Sequence, residues 1–218
     1  EFRRVLFRSP WIVSNVLAVA ALCEENRERR QAIITRSLYI LDYFAASYDD
    51  DGGCDEGPSY WGEAGAAFFD ASELLYDMTG GELDIFQQPL VRAMGEYIMK
   101  MYIHGNYFIN FADCYGQIRV NAFMIARFGR RVKSKSLEDF AVSQIGSEER
   151  PAFDNGYNLY RRLKNLWDVP ISQPSIEYAP KTFEYLPGIQ IVAMREQPRS
   201  DKGLYVAIKG GHNGESHN

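Results

Sequence analysis

Histidine and cysteine are scarce in this 218-residue chain, and positive charge is not in excess. Each shortage closes off a class of function. The three cysteines, Cys23, Cys54 and Cys114, are odd in number and have no C-x-x-C spacing, so the sequence encodes neither a zinc ribbon nor a disulfide framework. A formal net charge of −5 argues against a general nucleic-acid or anionic-membrane binder, because such proteins need a basic electrostatic footprint. A polyanionic ligand would need a locally basic cleft. No uninterrupted apolar run approaches a membrane span, and the most apolar stretch, Pro10 to Cys23, reads as a buried helix of a soluble protein. Nor is there a fixed repeat period.

Aromatic residues, by contrast, are plentiful: 14 Tyr, 13 Phe and 3 Trp make a load that fills cores and also lines carbohydrate clefts. The length suits one large domain or two small ones. Residues 1–9, "EFRRVLFRS", resemble the translation of a sequencing adapter and are set aside, which starts the domain at Pro10.

From Trp11 to about Glu24 a first helix is expected, and Asn26 is placed to cap a second one running to Ala46. Ile34, Leu38, Leu41 and Ala45 give that second helix an apolar stripe, and the two should pair. After the loop "YDDDGGCDEGP", a helix is expected from Pro58, with Trp61, Ala64, Phe68, Ser72 and Leu75 on one face and Gly80 and Gly81 at its end. Further helices are expected over about 84–104, 117–128, near Leu137, and over about 156–166. Near Val169 the pattern changes. "IQIVAMRE" and "GLYVAIKG" are β-rich runs joined by a hairpin-like connection. The expected architecture is therefore helical over 10–168, with helices in antiparallel succession suggesting a hairpin array or toroid, and an antiparallel sheet over 169–218.

Three stretches carry candidate chemistry. The loop Tyr48 to Pro58 concentrates Asp49, Asp50, Asp51, Asp55 and Glu56 before a helix, where acidic groups cap favourably. Capping accounts for one or two of them, and Tyr60 and Trp61 follow directly, so a functional loop and a structural one stand side by side. "KGGHNGESHN" places His212, Asn213, Glu215, His217 and Asn218 after a strand. Its histidine spacing does not fix a metal, which would need ligands from elsewhere. "RFGRRVKSK", the concentrated basic run at Arg127 to Lys135, reads as a solvated helix face.

"PWIVSN", "DDDGGCDEGPSYWGEAGAAFF" and "KGGHNGESHN" together resemble the heparinase II/III-like polysaccharide lyases, in that order and across essentially all of Pro10 to Asn218. "PWIVSN" resembles the tail of an N-N-[HW]-x-P-W motif, and "SHN" resembles a motif that continues further. On this resemblance the sequence is a piece of a longer enzyme and inactive alone. The resemblance implies an incomplete α/α toroid followed by the start of an antiparallel β-sandwich domain, in a protein of the periplasm or cell envelope. It further implies β-elimination of an anionic, uronic-acid polysaccharide, with no nucleic-acid partner and no membrane insertion. Tyr60 matches the proton-transferring tyrosine and His217 the first histidine of an H-N-H motif. Glu56, Trp61, His212 and Asn213 are assigned to substrate, Trp61 by stacking on a sugar face. Zinc is implied for the full-length family members, with ligands mostly beyond Asn218 and none assignable here.

These residue types suit the reaction. Removing the proton beside a uronate carboxylate builds an enolate-like dianion, which hydrogen-bond donors or cations must neutralise. A free phenol, with a pKa near 10, must be lowered to act as base, and a helix starting near Pro58 is expected to help. Two alternatives stay open: a toroid glycoside hydrolase using Asp51 and Glu56 as its carboxylate pair, and a non-catalytic glycan-binding protein.

Overall fold

A computed structural model describes residues 9–145, 158–167, 178–198, 200 and 202–211. Its helices are α1 (Ser9–Cys23), α2 (Arg27–Ala45), α3 (Gly65–Met78), α4 (Pro89–Lys100), α5 (Ala122–Arg131), α6 (Lys135–Ser143) and α7 (Leu159–Trp167). A short antiparallel pair, β1 (Tyr102–His104) and β2 (Tyr107–Phe108), follows α4. Last come β3 (Phe183–Leu186), β4 (Ile191–Arg195) and β5 (Tyr205–Lys209), an antiparallel sheet in the order β3-β4-β5. Apart from the β1–β2 pair, which interrupts the region expected to be helical, the described residues form helices first and an antiparallel sheet after, as expected in outline.

Local signals explain most boundaries. Asn26 caps α2, its side chain accepting from Arg29 N at 2.9 Å. At the end of α3, Gly80 and Gly81 take left-handed backbone (φ 61° and 92°), and Gly81 N donates to Tyr76 O at 2.9 Å. Two expected boundaries are corrected. The helix expected over 84–104 is only α4, because Pro89 starts it and the chain turns at Gly105 (φ 56°) into the β1–β2 pair. The helix expected from Gln117 starts at Ala122, where the Asn121 side chain accepts from Met124 N at 2.9 Å. In α2 the buried positions are Ser37, Leu41 and Phe44, with Leu38 on the exposed rim of the expected stripe.

One continuous apolar cluster runs through both halves. It joins Leu17 of α1, Phe44 of α2, Phe69 of α3, Tyr97 and Ile98 of α4 and Phe128 of α5 to Leu186, Ile189, Ile191 and Ala193 of the sheet. The sheet therefore docks on the helices through one face. Arg195 ties the same face to the β1–β2 pair, its guanidinium donating to the carbonyls of Tyr102 (2.7 Å) and Ile103 (3.1 Å).

Buried charge threads this apolar core, and here the sequence expectation for the basic run is overturned. Arg127 is 1% exposed, far from a solvated face. Its Nε donates to Glu73 Oε2 at 3.1 Å, its Nη2 lies 3.8 Å from Asp70 Oδ1, and its Nη1 donates to Asn165 Oδ1. Arg131 bridges Glu73 (3.4 Å) and Asp77 (3.0 Å). From α7, Arg161 Nε donates to Asp70 Oδ2 at 2.7 Å, and Asn158 Nδ2 reaches both Asp70 Oδ2 and Ser14 Oγ of α1. The network ties α1, α3, α5 and α7 together.

Titration of this network works in two directions. Burial raises the Glu73 carboxyl above its ordinary 4.5, against the pull of Arg127, Lys164 and Arg131. For Asp77 burial pushes upward too, but hydrogen bonds from Lys164 and Tyr160 outweigh it and hold the carboxyl below its ordinary 3.8. A carboxyl with a lowered folded pKa contributes stability that is present above its unfolded value and lost as pH falls through the folded one.

Two outcomes are expected. Arg127→Met leaves buried carboxylates without their partner and lowers unfolding free energy by about 3–5 kcal/mol in urea denaturation. Asp77→Asn flattens the acid-side loss of stability, read as a shallower fall of the urea midpoint below about pH 4.

Candidate functional site

The acidic loop before α3 is held from three sides, and glycine makes each approach feasible. Gly52 (φ 70°) lies so close to α4 that a Cβ there would stand 2.3 Å from the Ala93 carbonyl carbon and the Met94 nitrogen. Gly57 (φ 92°) backs onto Cys114 and the Phe111 carbonyl oxygen in the same way, at 2.7 and 2.8 Å. From α4, the Tyr97 hydroxyl donates to Cys54 O at 3.2 Å. Ser59 Oγ lies 3.1 Å from Cys114 Sγ, and Tyr115 N donates to that hydroxyl at 3.0 Å. Burial pushes the Cys54 thiol up, with Asp55 and Glu56 adding to it, so this cysteine stays protonated and structural.

Asp51 joins the loop to the sheet. Its Oδ1 accepts from Gly53 N at 2.9 Å, and its Oδ2 accepts from Gly188 N, in the β3–β4 turn, at 2.7 Å. Ile189 packs directly over Gly53, and Gly188 meets Asp49, each too closely for an added Cβ. Gly210, just after β5, donates its N–H to Gln190 O in that same turn at 2.7 Å. The acidic loop, the β3–β4 turn and the exit of β5 therefore share one corner of the molecule. His212 follows one residue after Gly211 in sequence.

The expected site residues separate on this frame. Tyr60 is partly buried at the loop's edge, packs against the core, and its hydroxyl has no hydrogen-bond partner among the described residues. Glu56, 5% exposed, is an interior side chain of the loop. Trp61 is corrected: it is 2% exposed, its Nε1 donates to Met94 O at 2.7 Å, and its ring lies parallel to Phe128, so it has no open face for a sugar. His217, His212 and Asn213 lie outside the described residues.

The helix expected from Pro58 is likewise corrected. Residues 58–64 form a run of tight turns, with Tyr60 N donating to Gly57 O and Trp61 N to Pro58 O, and α3 begins only at Gly65. Ala64, at φ −99° and ψ −96°, breaks the helical geometry. Tyr60 thus precedes the helix by more than a turn, where the pull of its N-terminus has faded.

Two contacts that shape the site carried no sequence signal. Arg161, from α7, donates through Nη2 to Gly62 O at 2.7 Å while pairing with Asp70, and so anchors the turn next to Tyr60. The Asp51 bracket depends on a glycine 137 residues away, which no local pattern announces. Among the described residues, no group of three or more His, Cys, Asp or Glu could hold a metal ion. No family model matches the chain, and no curated protein matches it.

Asp51→Ala removes the acceptor for two backbone N–H groups, one of them across the loop–sheet contact. The expected result is a loss of about 1–3 kcal/mol, together with faster hydrogen exchange at Gly53 and Gly188 while the α1–α2 amides keep their protection.

Proposed function

We propose that this chain carries the tyrosine half of a polysaccharide lyase site, which cleaves uronic-acid glycans by β-elimination in the manner of the heparinase II/III-like enzymes. The observation that supports it is the shared corner: the loop bearing Tyr60 is bracketed by Asp51 to the turn beside which β5 ends, and in sequence only Gly210 and Gly211 separate Lys209 from the "HNGESHN" stretch. On this reading the chemistry would draw on a phenol from the helical half and an imidazole from the sequence beyond β5. In this reading the helices belong to an α/α toroid and the strands to an antiparallel sandwich.

The roles follow from charge. Tyr60, as phenolate, takes the proton beside the uronate carboxylate and returns it to the departing glycosidic oxygen on the same face. His217, with His212 and Asn213, neutralises the carboxylate as negative charge builds on it. Glu56 is set to orient groups inside the loop. The hydrolase alternative loses support because both oxygens of Asp51 are engaged by backbone N–H groups at 2.9 and 2.7 Å, an arrangement that suits a bracket better than an acid or base. A glycan-binding protein without chemistry remains the second reading, carried by the same corner.

Titration of the chain with a uronate oligosaccharide is expected to shift the amides of residues 51–62 and 187–190 first, and shifts confined elsewhere overturn the assignment. In a polypeptide that contains this chain and turns over a uronate polysaccharide, Tyr60→Phe is expected to lower kcat by at least about 10²-fold. The check is the ultraviolet absorbance of the unsaturated uronate product. Chain ends without that chromophore would mean hydrolysis, and full turnover by Tyr60→Phe would remove the proposed base.

A further inference from the structure

The β1–β2 pair has an outer face that the site above leaves unused. Residues 116–118 extend the pair on one side: Phe108 N donates to Gly116 O at 3.0 Å and Ile118 N to Asn106 O at 2.9 Å, with Tyr107 opposite Gln117. His104 stands opposite Tyr107 on the other side. Residues opposite one another in antiparallel pairing share a face, so His104, Tyr107 and Gln117 form one row. Exposure alternates from Tyr115 to Val120, the mark of an extended run, and puts Tyr115 and Arg119 on either side of Gln117. All five are exposed, Tyr115 at 77%, while Phe108, Ile118 and Val120 turn to the core. The side chains of Tyr107, Tyr115, Gln117 and Arg119 make no hydrogen bond or ion pair with any described residue.

We propose that this face binds an acidic oligosaccharide, with Tyr115 stacking on a sugar ring and Arg119 pairing with a carboxylate; as a substrate subsite for Tyr60, it rests on the lyase reading above. The residue types choose the ligand. A pyranose has an apolar C–H face that lies flat on an aromatic ring, and hydroxyls that an amide, a phenol and an imidazole can meet. A guanidinium matches a carboxylate with two parallel N–H groups. Single-stranded nucleic acid also stacks on aromatics, but it needs a groove of cations along its phosphates. Arg119 is the one arginine or lysine among the five, in a chain of net charge −5.

The face is tied to the turn of the phenol. Tyr115 N donates to Ser59 Oγ at 3.0 Å, and Ser59 Oγ and N lie 3.1 and 3.4 Å from Cys114 Sγ. Ser59 is the residue before Tyr60. Gly57 tightens the same contact, since a Cβ there would stand 2.7 Å from that of Cys114. Tyr115 thus offers, next to the proposed base, the open aromatic ring that buried Trp61 does not. A glycan laid from Arg119 past Tyr115 would lead toward Tyr60.

The test titrates the purified 218-residue chain with unsulfated hexasaccharides of galacturonate, mannuronate and hyaluronan, with their carboxyl-reduced forms, and with an oligouridylate, following amide shifts and affinity. At least one acidic hexasaccharide is expected to shift the amides of His104, Tyr107 and residues 115–119. Tyr115→Ala should weaken its binding about tenfold. Arg119→Gln should weaken it about tenfold as well, and leave binding of the carboxyl-reduced form unchanged. Both side chains are exposed and bond to no described residue, so circular dichroism and the urea midpoint stay at wild-type values. Amides of 104–119 unmoved by every hexasaccharide, variants that bind as tightly as wild type, an Arg119→Gln loss equal for the neutral form, or preference for the oligouridylate would each overturn the proposal. The two readings fail separately. Shifts at 51–62 with none at 104–119 remove this face and leave Tyr60 in place, whereas shifts at 104–119 with none at 51–62 keep the glycan face and remove the proposed base.

Discussion

Two arginines stand inside this molecule because two acidic residues on α3 stand with them. Taking a guanidinium out of water costs several kcal/mol, and the cost is recovered only where carboxylates and amides satisfy it in good geometry. Asp70 and Glu73, one turn apart, face the same way and receive Arg127 from α5 and Arg161 from α7. Asn158 and Asn165 fill positions the charges leave. Apolar contacts permit many sliding arrangements of helices. A network of this kind permits few, because a shift of one turn would strand a buried charge. It fixes the register of α3, α5 and α7, and through Arg161 and Gly62 it anchors the turn that carries Tyr60, two residues after the tyrosine.

How much of this could be read from the chain depends on the range of the signal. Asn26 as a cap and Gly80–Gly81 as a terminator are statements about four or five neighbouring residues, and such statements survive folding. The strands Ile191–Arg195 and Tyr205–Lys209 announce themselves by alternation. Phe183–Leu186 alternates as well, but four residues between Pro180 and Pro187 are too short a run to mark a strand from the sequence alone. The end of α4 misled for a different reason: Tyr97 and Met101 continue helical spacing into the core although the helix has stopped at Lys100. Periodicity reports which side is buried, not whether the backbone is still helical.

The basic run is the sharper lesson. On sequence alone, Arg127, Arg130 and Arg131 are a cluster of like charge at a helix end, and solvation is the economical explanation. Their true partners, Asp70, Glu73 and Asp77, lie more than fifty residues earlier and keep their own helical spacing of three and four. Two charge patterns of matching period and opposite sign, on helices with otherwise apolar faces, were the available signal. Arg130, alone of the three, points to solvent.

Tyr60 and Trp61 show how a site divides neighbouring residues. Both are aromatic, both have a polar tip, and as a pair they looked like one functional unit. In the turns of 58–64, the two side chains leave the backbone differently: the indole enters the core and spends its N–H on Met94 O, while the phenol is only partly buried and its hydroxyl has no hydrogen-bond partner among the described residues. Trp61 thereby acts on Tyr60 from behind. Its bond to α4 and its packing on Phe128 hold the turn against the core, and the Asp51 bracket holds the other end of the loop against the sheet. Under the proposed elimination, the Tyr60 phenol would need its Cα fixed more than it would need a nearby charge, since misplacement of about 1 Å can cost about a hundredfold in rate. The glycines of "DDDGGCDEGP" make that frame tight: Gly52 meets the α4 backbone, Gly53 the Ile189 side chain and Gly57 Cys114 and the Phe111 carbonyl, each where an added Cβ would not fit.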